Sequence, residues 1–91
     1  MLHVVSYDIS DDQTRNRMSE KLLDFGVRIQ ESVFECILDA GLYARLISEV
    51  EKIPLAHTDR LRVYHVCSRC ASMIRIYGPG EVTSDPEYYL V

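Results

Sequence analysis

The stretch VVSYDIS, residues 4–10, decides the fold because it joins a strand to an acid and then to a helix start. Residues 2–9 carry apolar side chains on both faces, which predicts a strand in a sheet whose two faces are both at least partly covered. Asp8 comes where this apolar run ends. Ser10 is a favoured helix N-cap, and Gln13 would complete a capping box with it. The stretch therefore predicts a strand-to-helix junction that presents a carboxylate.

The remaining elements follow from hydrophobic spacing and from residues that end helices. Gly26 is expected to close the first helix as a C-cap, and Pro54 forbids continuation of the second. The predicted elements are a helix to about residue 25, strands over residues 27–30 and 33–38 joined by a tight hairpin, a helix over residues 42–52 and a strand over residues 61–67.

The order strand, helix, strand, strand, helix, strand predicts an α+β, ferredoxin-like sandwich with both helices on one face of an antiparallel sheet. We expect one domain over residues 1–91, with a core of about residues 1–67. Residues 73–77 alternate as a fifth strand would, and a tail follows to residue 91. Because the second sheet face has no helices, it must be polar or covered by a partner, and we expect a homodimer. The fifth strand is a candidate to add to the edge of the partner's sheet, and the sequence leaves open whether it does so.

Composition narrows the class of protein. The 91 residues are 47% apolar and 26% charged, which is globular but leaves a thin core with little room for a deep pocket. Net charge is −4, which argues against a protein that coats nucleic acid with its whole surface. No secretory pattern or membrane-length apolar run is present, so a cytoplasmic protein with three reduced cysteines is expected.

Asp8 is the first candidate for chemistry. It lies before a helix start, where an acid is also common simply as a capping or solubilising residue. One carboxylate is a poor magnesium site, because Mg²⁺ prefers about six oxygens. A two-fold axis would supply a second Asp8, and a metal held there would polarise a phosphodiester and activate water.

Two groups of basic residues are candidates for binding phosphates. They are Arg15, Arg17, Lys21 and Arg28 in the first half, and Arg60, Arg62, Arg69 and Arg75 in the second. Exposed helices carry arginine routinely, and acids near the first group would pair with it. The second group has no acid between its first and last members, so it has the greater weight.

A CxxC pattern spans Cys67 and Cys70. It admits zinc and redox interpretations, but a zinc site usually needs a second ligand pair, and only Cys36 and three histidines are available. A redox motif of the thioredoxin type would belong to a different topology. The expectation is a strand end with partly buried thiols.

Three stretches together resemble the CRISPR-associated Cas-two family. They are residues 7–12 followed by Arg15 and Arg17, residues 26–36, and residues 59–64. The resemblance spans nearly the whole chain and is specific in combination. The short acidic stretch over residues 81–87 and the CxxC depart from the plainest pattern of the family.

The resemblance implies a ferredoxin-like homodimer with metal-dependent endonuclease activity on RNA or double-stranded DNA. Asp8 matches the acid that binds the divalent metal, Mg²⁺ with Mn²⁺ as an alternative, at the subunit interface. The other positions that the resemblance links to activity are Tyr7, expected to be catalytic, and Arg15, Arg17, Arg28 and Phe34, expected to bind nucleic acid. It also implies a complex with the CRISPR integrase, in which the small dimer bridges integrase dimers during spacer acquisition in antiviral defence.

The first hypothesis is a nuclease that also serves as an adaptor, and two alternatives to it remain open. One is a purely structural DNA-binding subunit with a vestigial acid. The other is a ferredoxin-like sensor that binds a small metabolite at its dimer seam, which the motif combination disfavours.

Overall fold

The computed structural model describes residues 1–83 and contains one four-stranded antiparallel sheet with its two long helices on one face. The elements are β1 Leu2–Asp8, α1 Asp12–Leu23, β2 Val27–Gln30, β3 Val33–Ile37, α2 Ala40–Glu51, β4 Arg60–Val66 and the short α3 Ser68–Ala71. Strand order is β2-β3-β1-β4. The predicted ferredoxin-like order is confirmed, and each core element lies within about two residues of its expected bounds.

The core lies between the helices and the alternate residues of the two central strands. Val5, Phe34, Met18, Leu22 and Leu46 are fully buried there. Each large apolar side chain buried in this way contributes about 1.5–3 kcal/mol relative to exposure. The core therefore fixes which side chains of β1 point inward and which reach the open face of the sheet, the face without helices.

Both predicted ends of α1 need correction. The N-cap is Asp11, not Ser10, because the Asp11 carboxylate accepts hydrogen bonds from the Thr14 amide at 2.8 Å and the Thr14 hydroxyl at 3.0 Å. Gly26 is not a left-handed cap, since the only glycines with positive φ among the described residues are Gly78 and Gly80. It is needed for close approach, because a Cβ there would lie 2.5 Å from Cys36 Sγ and 2.9 Å from Cys36 Cα.

The C-terminal part differs most from expectation. Residues 73–77 form no strand within the protomer, whose described residues make a sheet of four strands only. The short helix α3 turns the chain after β4, and Met73 and Tyr77 are 71% and 87% exposed. A strand needs a neighbour for its backbone groups, and the segment finds none among residues 1–83.

The open face is touched by the last described residue. The Thr83 hydroxyl donates to Glu35 Oε1 at 2.6 Å. The predicted acidic stretch and tail continue to residue 91, and their part beyond Thr83 lies outside the described residues. Over residues 1–83, no helix has both the length and the apolar character to cross a bilayer.

Candidate nucleic-acid and metal-binding site

Asp8 is the last residue of β1, and its side chain is exposed on the open face. Strand alternation places it there, because Val5 and Tyr7 of the same strand are buried against the helices. In the ladder Asp8 lies directly opposite Arg60 of β4. The three ion pairs formed by residues 1–83 do not involve Asp8. The strand end thus presents an uncommitted carboxylate to solvent.

Tyr7 lies on the other face of the sheet from Asp8. It is 4% exposed, its hydroxyl donates to the Glu31 carbonyl at 3.0 Å, and its ring stacks on Phe34 with centroids 6.3 Å apart. This side chain anchors the β2–β3 turn to the core. The structure therefore does not bring the two residues expected to be catalytic onto one surface of the protomer.

Asp59 holds the loop that follows Asp8, a role that the sequence analysis missed. Its carboxylate accepts from the Ser10 amide and hydroxyl, both at 3.2 Å, and from the Ala56 amide at 3.0 Å. These bonds, with the Ala56 amide the largest influence, lower the pKa of Asp59. The polar residues 57–59 are a turn signal in the sequence, but the link from Asp59 to Ser10, 49 residues away, is not visible there.

Arg15 and Arg17 diverge although they are close in sequence. Arg15 donates to the carbonyls of Ile9 at 3.1 Å and Ser10 at 3.3 Å, and it also pairs with Asp12. It therefore brings positive charge next to the Asp8 strand end. Arg17 lines a cleft of about 400 Å³ between α1 and α2, together with Lys21 and Glu49, on the helical side of the molecule.

Arg28 and Phe34 act as a unit. They are ladder partners on β2 and β3, and the Arg28 guanidinium carbon lies 5.4 Å from the centre of the Phe34 ring. This distance fits a cation–π contact. Phe34 has no exposed surface, so its contribution to a nucleic-acid surface would be to support Arg28.

β4 carries a row of exposed polar side chains along the edge of the open face. Arg60 and Arg62 lie opposite Asp8 and Ser6 of β1, and Tyr64 lies opposite Val4. The Arg62 guanidinium donates to the Tyr64 hydroxyl at 3.3 Å. We call Arg60, Arg62 and Tyr64 the β4 row. It combines two cations with an aromatic side chain next to the Asp8 carboxylate, which suits a polyanion.

The donor set of one protomer fits only half of a magnesium site. Among residues 1–83, no group of three or more His, Cys, Asp or Glu side chains is placed to hold a metal ion. The exposed Asp8 carboxylate is of the hard oxygen type that Mg²⁺ prefers, but one such ligand is few. A second Asp8 from another copy would complete the carboxylate pair.

The CxxC does not match its expected environment. Cys67 and Cys70 are both exposed, whereas Cys36 is the buried cysteine. Cys67 is the N-cap of α3, which begins directly after β4 and buries none of its residues. The expectation of partly buried thiols is therefore wrong.

The fold and the site together define a ferredoxin-like protein with an exposed acid at the end of its first strand. The family model described as CRISPR associated protein Cas2 matches residues 1–74. The chain belongs to the CRISPR-associated Cas2 family. The Asp8 strand end, α1 and the β4 row all lie within the matched residues.

Individual proteins of known sequence or structure are similar to this chain over most of its length. The chain is 43% identical over 91 residues to CRISPR-associated endoribonuclease Cas2 3 of Chloroflexus aurantiacus, covering 100% of this chain and 98% of the relative. The solved structure of hypothetical protein TT1823 from Thermus thermophilus superposes with a TM-score of 0.75 at 35% identity, covering 88% and 93% of the two chains. A chain of a partial Cas6-RT-Cas1–Cas2 complex shares the fold, with a TM-score of 0.71 at 21% identity over 82% and 88%.

Proposed function

We propose that the protein is a homodimeric subunit of CRISPR spacer acquisition that hydrolyses phosphodiester bonds of RNA or double-stranded DNA in a Mg²⁺-dependent reaction, with Mn²⁺ as a substitute. In the same setting it serves as an adaptor for the CRISPR integrase in the cytoplasm. The observation that carries this proposal is the exposed, uncommitted Asp8 carboxylate next to Arg60 and Arg62 on the open face.

Family membership supports the activity. The Chloroflexus relative, which is named an endoribonuclease, is similar over 98% of its length. The integrase partner is supported by a structural neighbour that belongs to a complex containing Cas1 and Cas2. Both properties come to this chain as parts of the proposal.

Two features of the sheet, exposed apolar side chains and a free edge, favour a dimer. Val27 and Ile29 of β2 are 54% and 46% exposed, and β4 is an edge strand whose outer backbone groups have no sheet neighbour in the described chain. Exposed apolar side chains and a free edge are features that association would cover. Residues 73–77 of a second copy are candidates to pair with that edge.

Asp8 from each of two protomers would hold the metal, and the bound ion would supply a Lewis acid for the phosphodiester and lower the pKa of an attacking water. The β4 row would bind the flanking phosphates through its guanidinium groups. Arg15 would neutralise backbone phosphate near the strand end. The Tyr7 hydroxyl is bound to Glu31, so it reaches this surface only if that hydrogen bond breaks.

A non-catalytic DNA-binding subunit is the second candidate. It is favoured by the single acid that each protomer contributes and by the inward position of Tyr7. Phosphate contacts by the β4 row would suffice for that function.

The test compares wild type with Asp8→Asn, which removes the charge and keeps the shape. RNA and duplex DNA cleavage is measured with Mg²⁺, with Mn²⁺ and with chelator, and spacer integration is measured with the integrase present. We expect metal-dependent cleavage in wild type and its loss in Asp8→Asn, while Asp24→Asn, an exposed acid at the end of α1, behaves as wild type. If wild type cleaves neither substrate but supports integration, the non-catalytic function is correct.

A further inference from the structure

The two cysteines of the CxxC are close in the chain and exposed, and their hydrogen bonding differs. Cys67 Sγ accepts a hydrogen bond from the Cys70 backbone amide at 3.4 Å, so the Cys67 side chain folds over the turn toward Cys70. Residues three apart in a helical turn share one face. The Cβ atoms of residues at this spacing lie about 5–6 Å apart. A disulfide brings them to about 3.8 Å, so a bridge would form as the turn tightens.

The surroundings of the pair favour a thiolate. The chain has no Asp or Glu between Asp59 and Glu81, and Arg69 lies between the two cysteines. Positive charge and hydrogen-bond donors stabilise a thiolate, which is the form that attacks disulfides. Among the described residues, no third metal-binding side chain joins the pair, so a closed zinc site is not formed within the protomer.

We propose that Cys67 and Cys70 form a reversible redox dithiol whose oxidant is an anionic low-molecular-weight disulfide. Cys67 is the attacking thiol and Cys70 the resolving thiol. The assignment stands on the sulfur–amide hydrogen bond and on the exposure of both side chains. It does not depend on the proposed nuclease activity.

The reaction proceeds in two exchange steps. The Cys67 thiolate attacks one sulfur of the small disulfide, forming a mixed disulfide and releasing one small thiolate. The Cys70 thiol loses its proton, and its sulfur attacks Cys67 Sγ, which forms the Cys67–Cys70 bond and releases the second small thiolate. The protein loses two electrons and two protons, and the small disulfide gains them as it becomes two thiols.

The relative acidity of the two thiols, as well as their positions, makes Cys67 the attacking thiol. Hydrogen bonds from the Cys70 amide and thiol lower the pKa of Cys67, whereas donating to Cys67 raises the pKa of Cys70. Cys36 provides an internal reference, because burial raises its pKa to about 11. A closed bridge would fix the turn between β4 and residues 73–77, at the point where the chain leaves the sheet.

The test uses the full-length protein in buffers of reduced and oxidised glutathione, followed by alkylation and peptide mass spectrometry. We expect Cys67 and Cys70 to lose alkylation together while Cys36 stays reduced. Cys70→Ser should accumulate a mixed disulfide at Cys67, and Cys67→Ser should react at Cys70 at least about tenfold more slowly. Serine at position 67 preserves a capping oxygen, so both variants are expected to keep the wild-type melting temperature.

Three results would overturn the proposal. One is that both thiols stay fully alkylatable in oxidised glutathione. Another is that the disulfides found join different copies of the chain. The third is that the two serine variants react at equal rates, which would mean that Cys67 is not the attacking thiol.

Discussion

Asp8 and Arg60 lie directly opposite each other in the β1–β4 ladder, yet they do not form an ion pair within the described chain. The Arg60 guanidinium instead donates to the backbone carbonyls of His57 at 3.0 Å and Asp59 at 2.9 Å. Its charge stays beside the carboxylate without neutralising it. This arrangement leaves Asp8 available for a cation and keeps a positive group nearby for a phosphate.

Substitution of the β4 row should weaken nucleic-acid binding. Arg62→Ala removes an exposed cation from the open face, so we expect lower affinity for duplex DNA and a smaller dependence of log K on log salt, by about one phosphate contact. Fluorescence anisotropy over a salt series measures both. Arg45→Ala, an exposed arginine on α2, is the matched control. Equal effects of the two substitutions would contradict a specific role of the β4 row.

Loss of the Asp59 carboxylate should loosen the loop after Asp8. Asp59→Ala leaves the amides of Ser10 and Ala56 without their acceptor, so we expect the melting temperature to fall by several degrees. Asp59→Asn keeps one acceptor oxygen and should lose less. Asp24→Ala controls for removal of a surface acid. The melting temperatures are measured by thermal unfolding monitored by circular dichroism. An unchanged melting temperature of Asp59→Ala would show that the loop does not depend on these bonds.

Gly26 should not tolerate a side chain. A Cβ there would overlap the Glu35 carbonyl oxygen and come within 2.5 Å of Cys36 Sγ. Because part of the obstacle is backbone, we expect Gly26→Ala to lower the free energy of unfolding by about 2–3 kcal/mol in urea titrations. Gly41→Ala is the control, since its nearest atom is Asp39 Oδ1 at 3.5 Å and alanine favours a helix. Similar losses at both positions would refute the close approach.

His3 should make stability depend on pH. It packs against His65 and Tyr43, and burial followed by the nearby His65 lowers its pKa below the ordinary 6.5. The unfolded chain then takes up a proton at His3 before the folded chain does, so this contribution is full above about pH 6.5 and is lost as pH falls toward the folded pKa.

The measurement is urea unfolding at pH 7.5 and pH 5.5. We expect the decrease in stability of wild type to be smaller in His3→Gln, with His57→Gln in an exposed turn as the control for loss of an imidazole. A decrease in His3→Gln as large as in wild type would rule out His3 as its source.

Local sequence rules account for most of the fold. The alternation of β4 and the apolar spacing of α2 are sufficient to predict these two elements, because each pattern places its apolar residues on one buried face. The N-cap of α1 was misplaced by one residue because Ser10 and Asp11 both cap well in isolation, and only the distant Asp59 takes Ser10 away. Residues 73–77 have a strand's pattern, but pairing depends on a neighbour that sequence does not specify.

The site was predictable in part. The position of Asp8 at the end of β1 followed from the end of an apolar run, and its open-face orientation follows from strand parity once Val5 is known to be buried. The burial of Phe34 and Tyr7, two residues expected at the site, depended on which face the helices cover. The exposure of Cys67 depended on α3, which is too short for a periodic pattern.

We propose that two Asp8 side chains share one metal ion across a dimer. Electron paramagnetic resonance of bound Mn²⁺, combined with the molecular mass in solution, measures this sharing. We expect one Mn²⁺ for every two chains in a dimer, with binding lost in Asp8→Asn and kept in Asp24→Asn. A strictly monomeric protein, or Mn²⁺ binding that survives Asp8→Asn, would contradict it.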